Sequence, residues 1–163
     1  MPGKKTRIFL DSNVIVSGLF SDRGAPRIIL DILSLDLPAL KPMTGAYNIG
    51  EIERTLRVKL PAALSTFRTA LKLMNPEIVA LPSEGDLAPL VGLTAAKDLP
   101  VIASAISGKA DILVTCDVKH LLKIEKSRLS FKIASPADFL DDLLPEILKN
   151  FMLSWRAVHG SEP

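Results

Sequence analysis

Cysteine is nearly absent. Cys116 is the single one in 163 residues, which excludes an internal disulfide and any metal site built from several cysteines. Aromatic residues make up only 5% of the chain, so aliphatic side chains must do the packing. Long apolar runs are also missing. Stretches without a charged side chain, such as residues 12–21, fall well short of the roughly 20 apolar residues a membrane helix needs. The opening segment Met1-Pro2-Gly3-Lys4-Lys5-Thr6 is basic, but Asp11 follows in place of an apolar core and a small-residue cleavage site. The expectation is therefore a cytoplasmic protein with no membrane segment. Neither charge dominates: the net charge is +2 and the sequence pI about 8.7, which is weak evidence for a polyanionic partner.

What is present is a hydrophobic fraction of 48% against 23% charged residues, enough apolar material for a well-packed core in a chain of this length. There is no internal repeat or low-complexity segment. We expect one domain over residues 1–149 and a C-terminal extension over 150–163. The extension carries Phe151, Met152, Leu153 and Trp155, too apolar for a free tail. It reads as a helix packed on its own domain, or else as a patch for a partner or a second subunit.

The run Ile8-Phe9-Leu10 has the character of a buried strand, and Asp11 falls where that strand leaves the sheet. Pro26 then starts a helix with apolar positions Ile28, Ile29, Ile32, Leu33 and Leu35, and a short proline-flanked strand is expected over residues 37–42. Between Ala46 and Leu60, Ile49, Ile52, Leu56 and Leu60 recur at helical spacing with charged residues on the other faces. Pro61 opens a further helix. Residues 78–81 read as a buried strand, residues 87–97 as a weaker helix, and residues 101–107 as a short apolar helix stopped by Gly108. Ile112-Leu113-Val114-Thr115 is the clearest late strand. A helix over 119–124, a strand over 131–133 and a helix from Pro136 to Leu148 complete the pattern. Strands alternating with helices predict an α/β fold with a central, mainly parallel sheet.

Four acids stand at telling positions: Asp11 after the first strand, Glu51 within the amphipathic helix, Asp98 at a helix start, and Asp117 after the late strand. Each has an ordinary explanation. An aspartate after a strand or before a helix is most often an N-cap, worth about 1 kcal/mol, and a lone helix glutamate is a solvated charge. Glu53 lies nearer the apolar stripe than Glu51 does. The case for function rests on the set. In a parallel sheet both strand-end acids emerge at the carboxyl edge, where ligands bind, and the helix start at Asp98 reaches that edge if it sits over the switch point. Carboxylates gathered there raise one another's pKa unless a cation neutralises them. Oxygen ligands suit Mg²⁺ or Mn²⁺, and the chemistry suggested is metal-assisted phosphodiester cleavage. With these acids sequestered, the rest of the surface tilts further toward positive charge.

At this point the chain resembles the PIN-domain nucleases, most closely the small stand-alone VapC-like toxins of toxin–antitoxin systems. Residues 9–17 look like the family's opening strand and acid, Glu51-Ile52-Glu53-Arg54-Thr55-Leu56 like its helix acid motif, residues 98–105 with 110–117 like its most diagnostic stretch, and residues 135–140 like its closing segment. The resemblance implies a three-layer α/β/α sandwich and a ribonuclease using Mg²⁺ or Mn²⁺. It implies that Asp11, Glu51, Asp98 and Asp117 are catalytic, with Glu53 as fallback for the helix acid, and that Asp11, Asp98 and Asp117 hold metal. Asn13 and Thr115 would orient acids or substrate phosphate. A cognate antitoxin and a homodimer are implied in the same way.

Lys119, His120 and Lys123, with Lys126 and Arg128 beyond, form a basic segment just past Asp117. It is either a solvated helix face or a rail for RNA phosphates, with Arg54 and Arg57 as weaker contacts. Two rivals fail on composition. A haloacid-dehalogenase-like phosphatase needs a second acid two residues after the first, where this chain has Asn13. A receiver domain needs a pair of acids at the first strand end, and none is there. A PIN fold that has lost activity and serves as an RNA- or protein-binding module is disfavoured by the presence of all four acids, and a housekeeping RNA-processing nuclease stands as the alternative to a toxin.

Overall fold

Ile8, Phe9 and Leu10 are fully buried because strand β1 (Thr6–Leu10) lies in the middle of a sheet covered on both faces. The computed structural model describes residues 3–160; Met1 and Pro2 of the basic N-terminus and residues 161–163 of the extension lie outside them. β1 is joined by β2 (Leu40–Gly45), β3 (Glu77–Val79), β4 (Ile112–Val114) and β5 (Lys132–Ala134) in the order β3-β2-β1-β4-β5, and every neighbouring pair is parallel. The expected mainly parallel sheet is thus wholly parallel.

Period-two alternation divides the strands between two cores. Ile8, Leu10, Ile112 and Val114 face one core, and Phe9, Met43 and Leu113 face the other. The first is closed by α1 (Ser12–Leu19), α2 (Ala25–Leu33), α3 (Ala46–Lys59) and α4 (Leu64–Met74). After the short α5 (Glu84–Leu87), α6 (Leu99–Ser107) closes the second through Val101, Ile102 and Ala105. A one-turn α7 (Pro136–Asp138), a π-helical turn over residues 139–143 and α8 (Leu144–His159) return to the first face, where Phe139 and Leu144 are buried. The layers are helix, sheet, helix, an α/β/α sandwich.

The chain leaves β1 toward β2 and β3, then crosses back to β4 and β5. The crevice between the carboxyl ends of β1 and β4 is therefore the switch point, where parallel α/β sheets bind ligands.

Several elements differ from the sequence pattern. The second strand falls at Leu40–Gly45 and contains Pro42; β3 pairs with β2 only from Met43 onward, so the proline's missing N–H breaks no ladder bond on that side. β3 is an edge strand, not a buried one, with Ile78 and Leu81 exposed. Residues 87–97 form no sustained helix, only 3₁₀ turns at Ala88–Leu90 and from Ala96 onward, with a turn between them at Gly92, whose φ of +87° favours glycine. The expected helix over 119–124 is reduced to a 3₁₀ turn at Leu121–Lys123. The C-terminal helix forms through His159, but only its near side packs. Ile147, Leu148 and Phe151 meet the core, while Met152, Leu153, Trp155 and Val158 are exposed. No helix among the described residues is long and apolar enough to cross a membrane.

Candidate active site

Two backbone bonds hold the strand ends, one joining β1 to β4 at the switch point and the other joining β4 to β5. Asp11 N–H donates to the Val114 carbonyl at 3.1 Å, and Thr115 N–H donates to the Ala134 carbonyl at 3.0 Å. Asp11 and Thr115 consequently meet side by side at the edge of the sheet. Thr115 is fully buried, and its hydroxyl donates to Asp11 Oδ2 at 2.8 Å. The same hydroxyl oxygen accepts the Asp117 backbone N–H at 3.0 Å. Asn13 spans the gap from α1, its amide donating to Thr115 Oγ1 at 3.4 Å and its Oδ1 accepting the Cys116 N–H at 3.0 Å. One hydroxyl and one amide therefore set the spacing of both strand-end acids.

Asp11 caps α1 and does more. Its Oδ1 accepts the Ser12 N–H at 2.7 Å and the Asn48 amide at 3.2 Å. Asn48 is buried in the first turn of α3 and also donates to Ser12 Oγ at 3.0 Å, and that hydroxyl in turn donates to Glu51 Oε2 at 3.0 Å. The close approach depends on Gly45, where an added Cβ would stand 2.8 Å from Asn48 Oδ1. Burial pushes the Asp11 carboxyl up from 3.8 to about 6; the bonds from Thr115 and Ser12 offset part of that, while the charges of Glu51 and Asp98 add to it.

On the facing side, Asp98 stands at the start of α6 but caps nothing, since its side chain accepts no bond from that helix. Its Oδ2 is buried without a hydrogen-bond partner. Burial, then the charge of Asp117, raises its pKa, with Lys97 and His120 opposing. Asp117 behaves differently. Burial pushes it up, but the His120 backbone N–H, the His120 ring and the Lys119 N–H together outweigh that and leave it below the ordinary carboxylate value. Both N–H groups donate to Asp117 Oδ1 at 3.0 Å. The His120 ring turns inward, with Nδ1 3.2 Å from Asp117 Oδ2 and 3.7 Å from Asp98 Oδ2.

Asp11, Glu51, Asp98 and Asp117 thus line one cleft of about 380 Å³, with Asn13, Lys97, Lys119 and His120 around them. Within it, Asp98, Asp117 and His120 each offer a ligand atom within 4.8 Å of the others, a set able to hold a metal ion. Asp11 is not in that set, because its oxygens already face Thr115, Ser12 and Asn48. Of the two glutamates considered for α3, Glu51 enters the cleft. Glu53 points away, 3.9 Å from Arg57 and 3.7 Å from Arg68. Lys119 reaches the rim, whereas the exposed Lys123 does not line the cleft.

Ser12, Asn48 and Lys97 were not singled out from sequence. Asn48 did leave a signal: with Ile52 and Leu56 it occupies the buried stripe of α3 at steps of four, a polar residue at an apolar position.

A crevice of four carboxylates at the switch point of a parallel sheet defines an acidic-cleft α/β protein. The model of the PIN domain family matches residues 7–119, more than half of the chain, and the chain belongs to that family, whose members are nucleases. Its fold is similar to solved toxin–antitoxin PIN structures. VapBC2 from Rickettsia felis, bound to a DNA fragment from its promoter, is 17% identical with a TM-score of 0.55, the match covering 80% of this chain and 98% of that one. FitAcB from Neisseria gonorrhoeae is 17% identical with a TM-score of 0.60 and the same coverage. VapBC-1 from nontypeable Haemophilus influenzae is 17% identical with a TM-score of 0.55, covering 81% and 99%. No curated protein matches the chain by sequence.

Proposed function

We propose that the protein is a divalent-metal-dependent ribonuclease acting as the toxin of a toxin–antitoxin pair. The observation that carries this is the buried, unpartnered Asp98 Oδ2 facing Asp117 and His120 in a cleft that also holds Asp11 and Glu51. A buried carboxylate oxygen with no donor is costly unless a cation completes it. The donor set, carboxylates with one imidazole, fits Mg²⁺ or Mn²⁺.

Asp98, Asp117 and His120 would hold the ion, and Asp11 lines the same cleft. The ion would polarise the phosphodiester and lower the pKa of an attacking water. Thr115, Ser12 and Asn48 hold Asp11 in one orientation, and Asn13 keeps Thr115 in place. Glu51, fixed by the Ser12 hydroxyl, stands at the cleft wall as a proton acceptor for water. Water adds to phosphorus in line, the bond from phosphorus to O3′ breaks, and a proton passes to that oxygen. The products end in a 3′-hydroxyl and a 5′-phosphate. Lys97 and Lys119 at the rim supply positive charge for the substrate backbone. His120 is held against the acids, so its contribution is to ion binding; Lys123, outside the cleft, is an outer phosphate contact.

The toxin role is supported by the fold's likeness to VapBC and FitAB complexes. It brings with it a cognate antitoxin and a homodimer. The deciding experiment is cleavage of single-stranded RNA by purified protein with Mg²⁺, with Mn²⁺ and with EDTA. Cleavage in both metals and none in EDTA is expected; equal cleavage in EDTA overturns the proposal.

A further inference from the structure

Beyond Glu51 the acidic cleft continues along α3 into a second, shallower groove of about 420 Å³, lined by Tyr47, Glu51, Arg54, Thr55, Val58 and Lys59. Glu51 is the wall the two hollows share. Positions 47, 51, 54, 55 and 58 fall on one face of the helix by steps of three and four. Glu53 lies roughly 200° around the helix from Glu51, and Arg57, about 60° from Arg54, stands 3.9 Å from Glu53 and outside the groove lining.

The two faces have different electrostatics. On the far side, Glu53 stands between Arg57 and Arg68 and offsets part of their charge. On the groove face, neither Arg54 nor Lys59 has an acidic partner within 4.0 Å among the described residues. Tyr47, the only tyrosine in the chain, lines the groove one helical turn before Glu51. Its hydroxyl donates to the Lys97 carbonyl at 3.3 Å, which ties the ring to the turn that carries Asp98. A half-buried, anchored aromatic ring beside two unpaired cations is the combination that binds single-stranded nucleic acid: bases stack on the ring and phosphates meet the cations. Lys97 and Lys119 lie on the cleft side. Positive groups therefore flank the acids at both ends.

We propose that this groove is a binding subsite for single-stranded nucleic acid, with a base stacked on Tyr47 and neighbouring phosphates on Arg54 and Lys59. The subsite gives the strand its direction across the acids: along α3, away from Asp117. It rests on the ribonuclease reading for its purpose but not for its measurement.

The test is fluorescence anisotropy with a labelled single-stranded oligoribonucleotide, using Asp11→Asn protein in EDTA so that cleavage cannot interfere. Tyr47→Ala and Arg54→Ala added to that background are each expected to weaken binding about tenfold, in line with loss of a stacked base or a phosphate contact. Tyr47→Phe keeps the ring and retains the affinity, which separates stacking from the bond to Lys97. Arg54→Ala also lowers the slope of log affinity against log salt by about 0.7, the counterion share of one single-strand phosphate. Arg57→Ala, paired with Glu53 and outside the groove lining, changes neither. Unchanged affinity in Tyr47→Ala and Arg54→Ala overturns the subsite, as does an equal loss in Arg57→Ala or no binding by the Asp11→Asn parent. If wild-type protein shows no metal-dependent cleavage while the binding pattern appears as described, the ribonuclease reading fails and the subsite stands.

Discussion

Asp11 and Asp117 follow adjacent strands of the same parallel sheet and share one threonine hydroxyl, yet the two strand ends treat their carboxylates oppositely. At the end of β1 the acid is 6% exposed and its pKa rises to about 6, because burial outweighs the hydrogen bonds it accepts. At the end of β4 the chain turns back over the acid, so two backbone N–H groups and the His120 ring reach it, and its pKa falls. The difference teaches that position after a strand puts an acid at the edge of the sheet, but the next few residues decide its charge. Asp117 is ionised over the whole physiological range, while Asp11 retains part of its proton until a positive group arrives.

The largest test of this contrast separates activity from stability. Asp11→Asn, Asp98→Asn and Asp117→Asn are each expected to lower RNA cleavage by at least about 10³-fold, as losses of groups acting as one unit do. Their effects on stability should part. Asp11→Asn removes a buried charge and leaves the unfolding midpoint at pH 7 unchanged or higher, whereas Asp117→Ala loses its turn-capping bonds and costs about 1 kcal/mol. Denaturant unfolding checks both, and equal destabilisation by the two would break the contrast.

A smaller effect is expected within α3. Glu51→Gln should lower cleavage about tenfold or more with little change in stability, because its carboxylate lines the cleft and accepts a bond from Ser12. Glu53→Gln should stay within about twofold in activity and within about 0.5 kcal/mol in stability, as exposed ion pairs contribute little. The reverse ranking would make Glu53 the helix acid.

A separate test is the pH dependence of the metal-free protein, which bears on stability alone. For Asp11 the folded value of about 6 lies above the ordinary 3.8, so the folded state holds a proton that the unfolded chain gives up. Its contribution to stability is fully present below about pH 4 and is lost as pH rises through about 6, a change on the order of 3 kcal/mol. Asp117 has the opposite sign: its contribution is present above the ordinary carboxylate range and is lost as pH falls through its lowered value. Thermal unfolding in EDTA should show a midpoint that falls from pH 4 to 7 in the wild type and is flatter in Asp11→Asn. A midpoint that rises over that interval in both would mean that burial does not govern Asp11.

Much of this was legible in the sequence because it depends on short-range pattern. The alternation of Ile8, Phe9 and Leu10, the apolar stripe of α3 and the two strand-end acids are local facts. The helix acid was harder. Nearness to the apolar stripe favours Glu53, but a group that works on a solvent-borne substrate faces a cleft and not the core, so the stripe is the wrong guide. The segment after Asp117 also misled. Its run of basic residues suggests one helix face, but it folds as turns that send His120 inward and leave Lys123 outside the cleft.

By itself the sequence determined the class of fold and the acids at the sheet's edge, since periodicity and strand ends are written residue by residue. Only the tertiary structure decided that Asn48 would hold Asp11, that Glu51 and not Glu53 would join it, and that Asp98 would leave an oxygen buried without a partner. Those outcomes depend on which helix faces which strand end across dozens of residues, and on how much water remains around each carboxylate once they meet.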